Sequence, residues 1–288
     1  MRCNVALLIL GLAAVACTDP VGPPAIPGPP TLRNAVVFIS DRDGSFKLYS
    51  MDLGSGAVTL IPLPTSGFPS GPVVSRDGRR IAFATNGIWV MKADGSDPVK
   101  VNPSFPSDQS PAWAPDGTRI AFQSPRDGNR EIYVMDVTGA NQTRLTDDPA
   151  TDGFPLWSPD GTQIAFTSDR AGNNDVWIMN IDGSNQVQLT TDPEADIAFS
   201  WSHDATKLAF ISNRTFPPFS QLFIMDRDGG NQIQVVTPFR VSAADWLPGD
   251  SLFVLESNAD LVTVRRDGTD PINLTMGPAS DASPRASP

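Results

Sequence analysis

Cysteine and histidine are almost absent from this sequence. Its 288 residues hold two cysteines, Cys3 and Cys17, and a single histidine, His203. Both cysteines lie at the very start, so the rest of the chain can build neither a disulfide framework nor a Cys-ligated metal site. One imidazole is too few for a His-based metal centre or proton relay. Positive charge is scarce as well. Lys and Arg number 21 against 32 Asp and Glu, a formal net charge of -11. That is the opposite of the basic footprint of a nucleic-acid binder, and it repels phosphate backbones and anionic headgroups. No apolar run is long enough to cross a bilayer core of about 30 Å as a helix. Gly-x-Ser-x-Gly elbows, phosphate-binding loops and His-Glu-x-x-His helices are missing, so no catalytic residue, cofactor or metal is nominated. The abundant residues are Gly (23) and Pro (28), a composition suited to many short turns.

The first residues read as an address. Met1-Arg2-Cys3-Asn4 precedes an apolar stretch, Val5 to Ala16, that ends in small residues before Cys17. A short positive start, an apolar centre and a small-residue end are the order of a secretory signal. The segment Ala14-Val15-Ala16-Cys17 resembles the bacterial lipobox, with Ala14 where Leu is usual. That resemblance implies a signal peptide over 1–16, lipidation at Cys17, and stable anchoring, since two or more acyl chains hold where one binds reversibly. The alternatives are an ordinary signal cut near Ala16, leaving a free Cys, and an uncleaved anchor. Thr18, where Asp would imply retention at the inner membrane, points to the outer membrane facing the periplasm. The six prolines between Pro20 and Pro30 remove donors and fix φ, so residues 17–34 are expected to be the lipidated Cys followed by an extended tether.

The body is one unit repeated. Ala112-Trp113-Ala114-Pro115-Asp116-Gly117 recurs as Leu156-Trp157-Ser158-Pro159-Asp160-Gly161 and as Ser200-Trp201-Ser202-His203-Asp204, with weaker copies at Val74–Gly78 and Asp245–Gly249. A period of about 40–45 residues is that of a four-stranded propeller blade. After the Trp position come a Pro-Asp-Gly turn, a strand such as Ile120-Ala121-Phe122, a strand such as Ile132-Tyr133-Val134-Met135, an Asp-Gly hairpin turn, and a short strand such as Thr143-Arg144-Leu145-Thr146. Met51, Met91, Met135, Met179, Met225 and Val264 mark six copies of the third strand. The first copy has no first strand, and Asp281–Pro288 aligns with Asp108–Pro115. The expectation is therefore an all-β, six-bladed propeller of four-stranded antiparallel blades over 35–288, closed by the C-terminal strand.

These motifs (Trp-Ser-Pro-Asp-Gly, Ile-Ala-Phe-x-Ser, Met-x-x-Asp-Gly, Leu-Thr) resemble the TolB-like, or WD40-like, propeller repeat. TolB itself carries an additional N-terminal α/β domain, for which residues 1–34 leave no counterpart. The resemblance implies docking of partners on one propeller face in the cell envelope: a non-catalytic, lipid-anchored protein that binds an envelope protein, peptide or glycan, and no nucleic acid. The alternatives are a carbohydrate-lyase-like propeller enzyme and a substrate-delivery subunit of an envelope peptidase. Lyase propellers of this repeat type depend on histidine metal ligands, and one His argues against that reading.

Candidate binding residues follow from the repeat. Asp108, Asp152, Asp196 and Asp281 precede the first strand, and Arg42, Arg126, Arg170 and Arg214 follow the second. They occur in the same four blades, while blades two and six lack both. Such co-occurrence is what an Asp–Arg ion pair within each blade produces. A ring of carboxylates able to hold Ca²⁺ at a channel mouth is the alternative. Phe216 and Phe219 lie on a proline-stiffened loop of blade five and are candidate partner contacts. His203 falls on a turn of the opposite face.

Overall fold

The computed structural model describes residues 31–65, 67–215, 220–276 and 278–287. They form six four-stranded antiparallel sheets with no helix among them. Blade one holds β1 (Ala35–Ser40), β2 (Lys47–Asp52) and β3 (Val58–Ile61). Blade two holds β4 (Ser70–Val74), β5 (Arg80–Ala84), β6 (Ile88–Lys92) and β7 (Val99–Lys100). Blade three holds β8 (Gln109–Trp113), β9 (Arg119–Ser124), β10 (Glu131–Asp136) and β11 (Thr143–Arg144). Blade four holds β12 (Asp152–Trp157), β13 (Gln163–Ser168), β14 (Asp175–Asn180) and β15 (Val187–Gln188). Blade five holds β16 (Asp196–Trp201), β17 (Lys207–Ser212), β18 (Gln221–Asp226) and β19 (Ile233–Val235). Blade six holds β20 (Ala243–Trp246), β21 (Leu252–Ser257), β22 (Asp260–Arg265) and β23 (Ile272–Asn273). The last strand, β24 (Asp281–Ala286), returns to blade one.

The closure is a strand pairing. β24 runs antiparallel to β1, with Val36 opposite Ala286 and Ser40 opposite Asp281. Ala35 N–H donates to Ser287 Oγ at 2.8 Å, and Ser287 N–H returns to Ala35 O at 2.8 Å. The first strands β4, β8, β12, β16, β20 and β24 touch one another in a closed ring, so they line the axis and each blade radiates outward.

Hydrophobic burial explains why the blades need each other. Six apolar clusters are found among the described residues, each shared by two neighbouring blades. In β9, Ile120 and Phe122 face blade two, whereas Ala121 faces blade four. Large side chains on one face and alanine on the other let radial sheets pack closely near the axis. A single blade leaves both faces wet, which is why repeat units of this kind are stable only in company.

The fourth strands are shorter than the sequence suggests. β11, β15 and β23 have two residues each, because the threonine beyond them replaces the next ladder bond. Ile132 N–H donates to Thr146 Oγ1, Val176 N–H to Thr190 Oγ1 and Leu261 N–H to Thr275 Oγ1, all at 2.9 Å. The hydroxyl turns the chain inward to the next first strand and leaves no orphaned donor.

Candidate functional site

Two faces follow from the strand order. The upper face carries the loops between second and third strands and those leading into first strands. The lower face carries the two sets of hairpin turns. The four sequence-nominated pairs sit under the upper face, each within one blade. Arg42 Nη2 reaches Asp281 Oδ1 at 3.0 Å and Arg170 Nη2 reaches Asp152 Oδ2 at 2.5 Å. Arg126 pairs with Asp108, and Arg214 with Asp196. Each guanidinium also donates from Nε to the serine two residues before it: Ser40, Ser124, Ser168 and Ser212. Each lies over the aromatic rings of its blade, as Arg170 does at 4.6 Å from the Trp177 centroid. Arg126, Arg170 and Arg214 are further tied to Gln142, Gln186 and Gln232. Those glutamines were not singled out from the sequence. The signal was there in the recurring Asn-Gln after each turn: Asn141-Gln142, Asn185-Gln186 and Asn231-Gln232.

The aspartates do not ring the channel mouth. Asp108, Asp152, Asp196 and Asp281 are at most 2% exposed, and none borders the axial cavity. Among the described residues no group of three or more His, Cys, Asp or Glu comes together as a metal site. Burial pushes the carboxyls of Asp108, Asp152 and Asp196 up, and their arginines pull against it. The geometry is that of an internal ion pair fixing the start of a first strand to an upper loop. Phe216, Phe219, Cys17, the signal segment and most of the tether lie outside the described residues.

The axial channel itself is lined by other residues. Its upper half encloses about 420 Å³ and its lower half about 210 Å³. Val73, Leu156, Phe199 and Arg285 border both halves and form the waist. Bulges in the first strands shape the mouth. Gly71, Ser110, Phe154 and Ser283 have φ of 53°, 52°, 54° and 52°, each just before a proline. A residue before proline ordinarily avoids this region, and a bulky side chain there is an outlier. Phe154 is nonetheless 46% exposed, at the mouth. Proline is tolerated because these are edge strands whose free side faces the channel.

At the register position just below the bulges the six blades contribute Val73, Ala112, Leu156, Ser200, Asp245 and Arg285. Asp245 is held by main-chain N–H groups, from Trp246 at 3.0 Å and Ala286 at 2.9 Å. Burial pushes its carboxyl up, with Arg285 opposing. Arg76 reaches across the lower mouth to the carbonyl of Pro159, and His203 Nδ1 lies 2.8 Å from Asp250. His203 is thus on the lower side, away from the Asp–Arg pairs, as its turn position implied.

Residues 88–186 match the TolB beta propeller domain family, and residues 138–255 the Tricorn protease N-terminal beta propeller domain. The chain is a TolB-like β-propeller. A Protein TolB homolog of Chlorobium luteolum is 27% identical over 144 residues, covering 34% of this chain and 33% of that protein. The TolB-like chain spans about a third of the length of the curated relatives it matches. The crystal structure of TolB from Acinetobacter baumannii superposes with a TM-score of 0.77 at 20% identity, covering 87% of this chain and 66% of that one. An oligogalacturonate lyase in complex with manganese shares the fold at a TM-score of 0.61 and 16% identity, over 83% of this chain and 73% of that one. These structural likenesses concern the fold.

Proposed function

We propose that this TolB-like propeller is a non-catalytic cell-envelope protein, lipid-tethered through Cys17 at the outer membrane, whose upper face docks a protein or peptide partner. The carrying observation is the distribution of exposed aromatic side chains. Phe46, Phe68, Phe105 and Phe154 are 36–59% exposed, and all four lie on the upper face. Phe46 and Phe68 meet edge to face at 4.9 Å, beside blade two, which carries no Asp–Arg pair. Exposed apolar clusters of this kind mark interaction surfaces. The four Asp–Arg pairs serve this face as internal supports rather than as ligand contacts.

The course of the chain supports an outward orientation. Leu32 N–H donates to Gly78 O, in a lower-face turn, at 2.7 Å. A tether ending there holds the lower face towards the membrane and presents the upper face away from it. Photo-crosslinkers placed at Phe68 and Phe105 in intact cells are expected to capture one common partner. Crosslinkers at Thr162 and Thr206, on the lower face, are expected not to. Capture from the lower face alone refutes the reading. Cys17→Ser is expected to abolish palmitate labelling and move the protein to the soluble fraction.

The match of residues 138–255 to the Tricorn protease propeller favours a second reading, delivery of substrate to a separate peptidase. In that case the captured partner is a hydrolase.

A further inference from the structure

Arg285 is the cation of the channel waist, and its surroundings differ from those of every paired arginine in blades one, three, four and five. Among the described residues it makes no ion pair and no side-chain hydrogen bond, and its Nη1 is buried without a partner. A guanidinium stays charged at all accessible pH values and carries five donors. Leaving such donors dry and unmatched is unfavourable by more than a neutral group would be. The adjoining carboxylate, Asp245, has both oxygens engaged by main-chain N–H groups.

The rest of the channel fits an anion entering from above. Its lining carries Arg76, Arg130 and Arg285 against Asp245 and Glu256, in a chain whose overall charge is strongly negative. Arg76 bridges the lower mouth, and the upper half is the roomier of the two. The upper half is lined mainly by apolar groups, among them Pro111, Pro155, Ile197 and Phe199, with the amides Gln109 and Gln123 near the rim. Among the described residues its lining has no Trp or Tyr, and its aromatic rings are Phe154 and Phe199. Its volume lies in the range of small-ligand sites, enough for the last few residues of an extended chain.

We propose that the axial channel binds the C-terminal end of an extended peptide, inserted through the upper mouth, with its free carboxylate on the Arg285 guanidinium at the waist. This rests on the reading of the upper face as the docking face and names the chemistry of its ligand. A bidentate guanidinium–carboxylate contact gives both strength and orientation, and it falls on Nε and Nη2, which have no partner among the described residues and, unlike Nη1, are not buried.

The test uses the purified full chain and a pool of random hexapeptides made in two forms, free acid and C-terminal amide. The free-acid pool is expected to be retained about tenfold better than the amide pool. Arg285→Gln is expected to erase that difference, and Arg285→Lys to restore part of it. Equal retention of both pools, an acid preference unchanged in Arg285→Gln, or retention of uronate oligosaccharides in place of the peptides overturns the proposal. If Arg285→Gln fails to fold, displacement of bound free-acid peptides from the unaltered protein by propionate, and not by propionamide, is the deciding measurement. Crosslinking of a partner through Phe68 in the Arg285→Gln protein separates the two claims: capture without acid preference keeps the docking face and removes the channel site.

Discussion

Asp152 Oδ2 lies 2.5 Å from Arg170 Nη2, with Asp152 at the first residue of β12 and Arg170 just past β13. The aspartate is fully buried and the arginine is 13% exposed, so water screens the contact little. Removing one partner strands the other, whereas removing both strands neither. Asp152→Ala is expected to destabilise the propeller by about 3–5 kcal/mol. The double variant Asp152→Leu with Arg170→Met should lose far less than the sum of the singles. Urea denaturation of the four proteins measures the coupling, and simple additivity would contradict a stapling pair.

The hairpin glycines make a second prediction. Gly139 has φ of 86°, and a Cβ there would lie 1.7 Å from the carbonyl oxygen of Val101 in the preceding blade. Gly44 has a similar φ of 82° with nothing within 4 Å. Gly44→Ala is expected to lose about 1–2 kcal/mol from the left-handed backbone alone. Gly139→Ala adds the clash between blades and should lose a further 1–3 kcal/mol or so. Comparable thermal shifts for both variants would show that the blades give way at that contact.

Ionisation of the two tyrosines is the third. Tyr49 and Tyr133 are the only tyrosines in the chain, so absorbance at 295 nm reports them alone. Each is pushed up to about 12, first by burial and then by donating its hydroxyl to a carboxylate, Asp43 or Asp127. In the unfolded chain they ionise near 10. The folded state therefore keeps its protons longer. Their contribution to stability is complete below about pH 10 and is lost as the pH rises from there towards 12. Asp127→Asn is expected to bring one of the two transitions down. Full tyrosinate absorbance by pH 10.5 in the folded protein would contradict both hydrogen bonds.

Much of this protein was legible in one dimension. The Trp-Ser-Pro-Asp-Gly period counted the blades, and the likeness of Asp281–Pro288 to Asp108–Pro115 identified the closing strand. Both are consequences of β-strand repetition, in which each copy encodes its own hairpins and its side-chain alternation assigns inner and outer faces. The co-occurrence of Asp and Arg in blades one, three, four and five likewise pointed to pairing within a blade, because partners that meet locally recur together.

Other features existed only once the ring had closed. The sequence left open whether the four aspartates face the channel, and burial settled that they do not. Left-handed residues ahead of Pro72, Pro111, Pro155 and Pro284 rotate the first strands at the mouth, and that rotation decides which side chains line the axis. Gly139 is required as much by Val101 of another blade as by its own φ. Arg285 and Asp245 lie forty residues apart in the chain and on neighbouring blades of the same ring. The repeat puts them at equivalent positions of consecutive copies, but their proximity depends on the last strand docking beside the first blade.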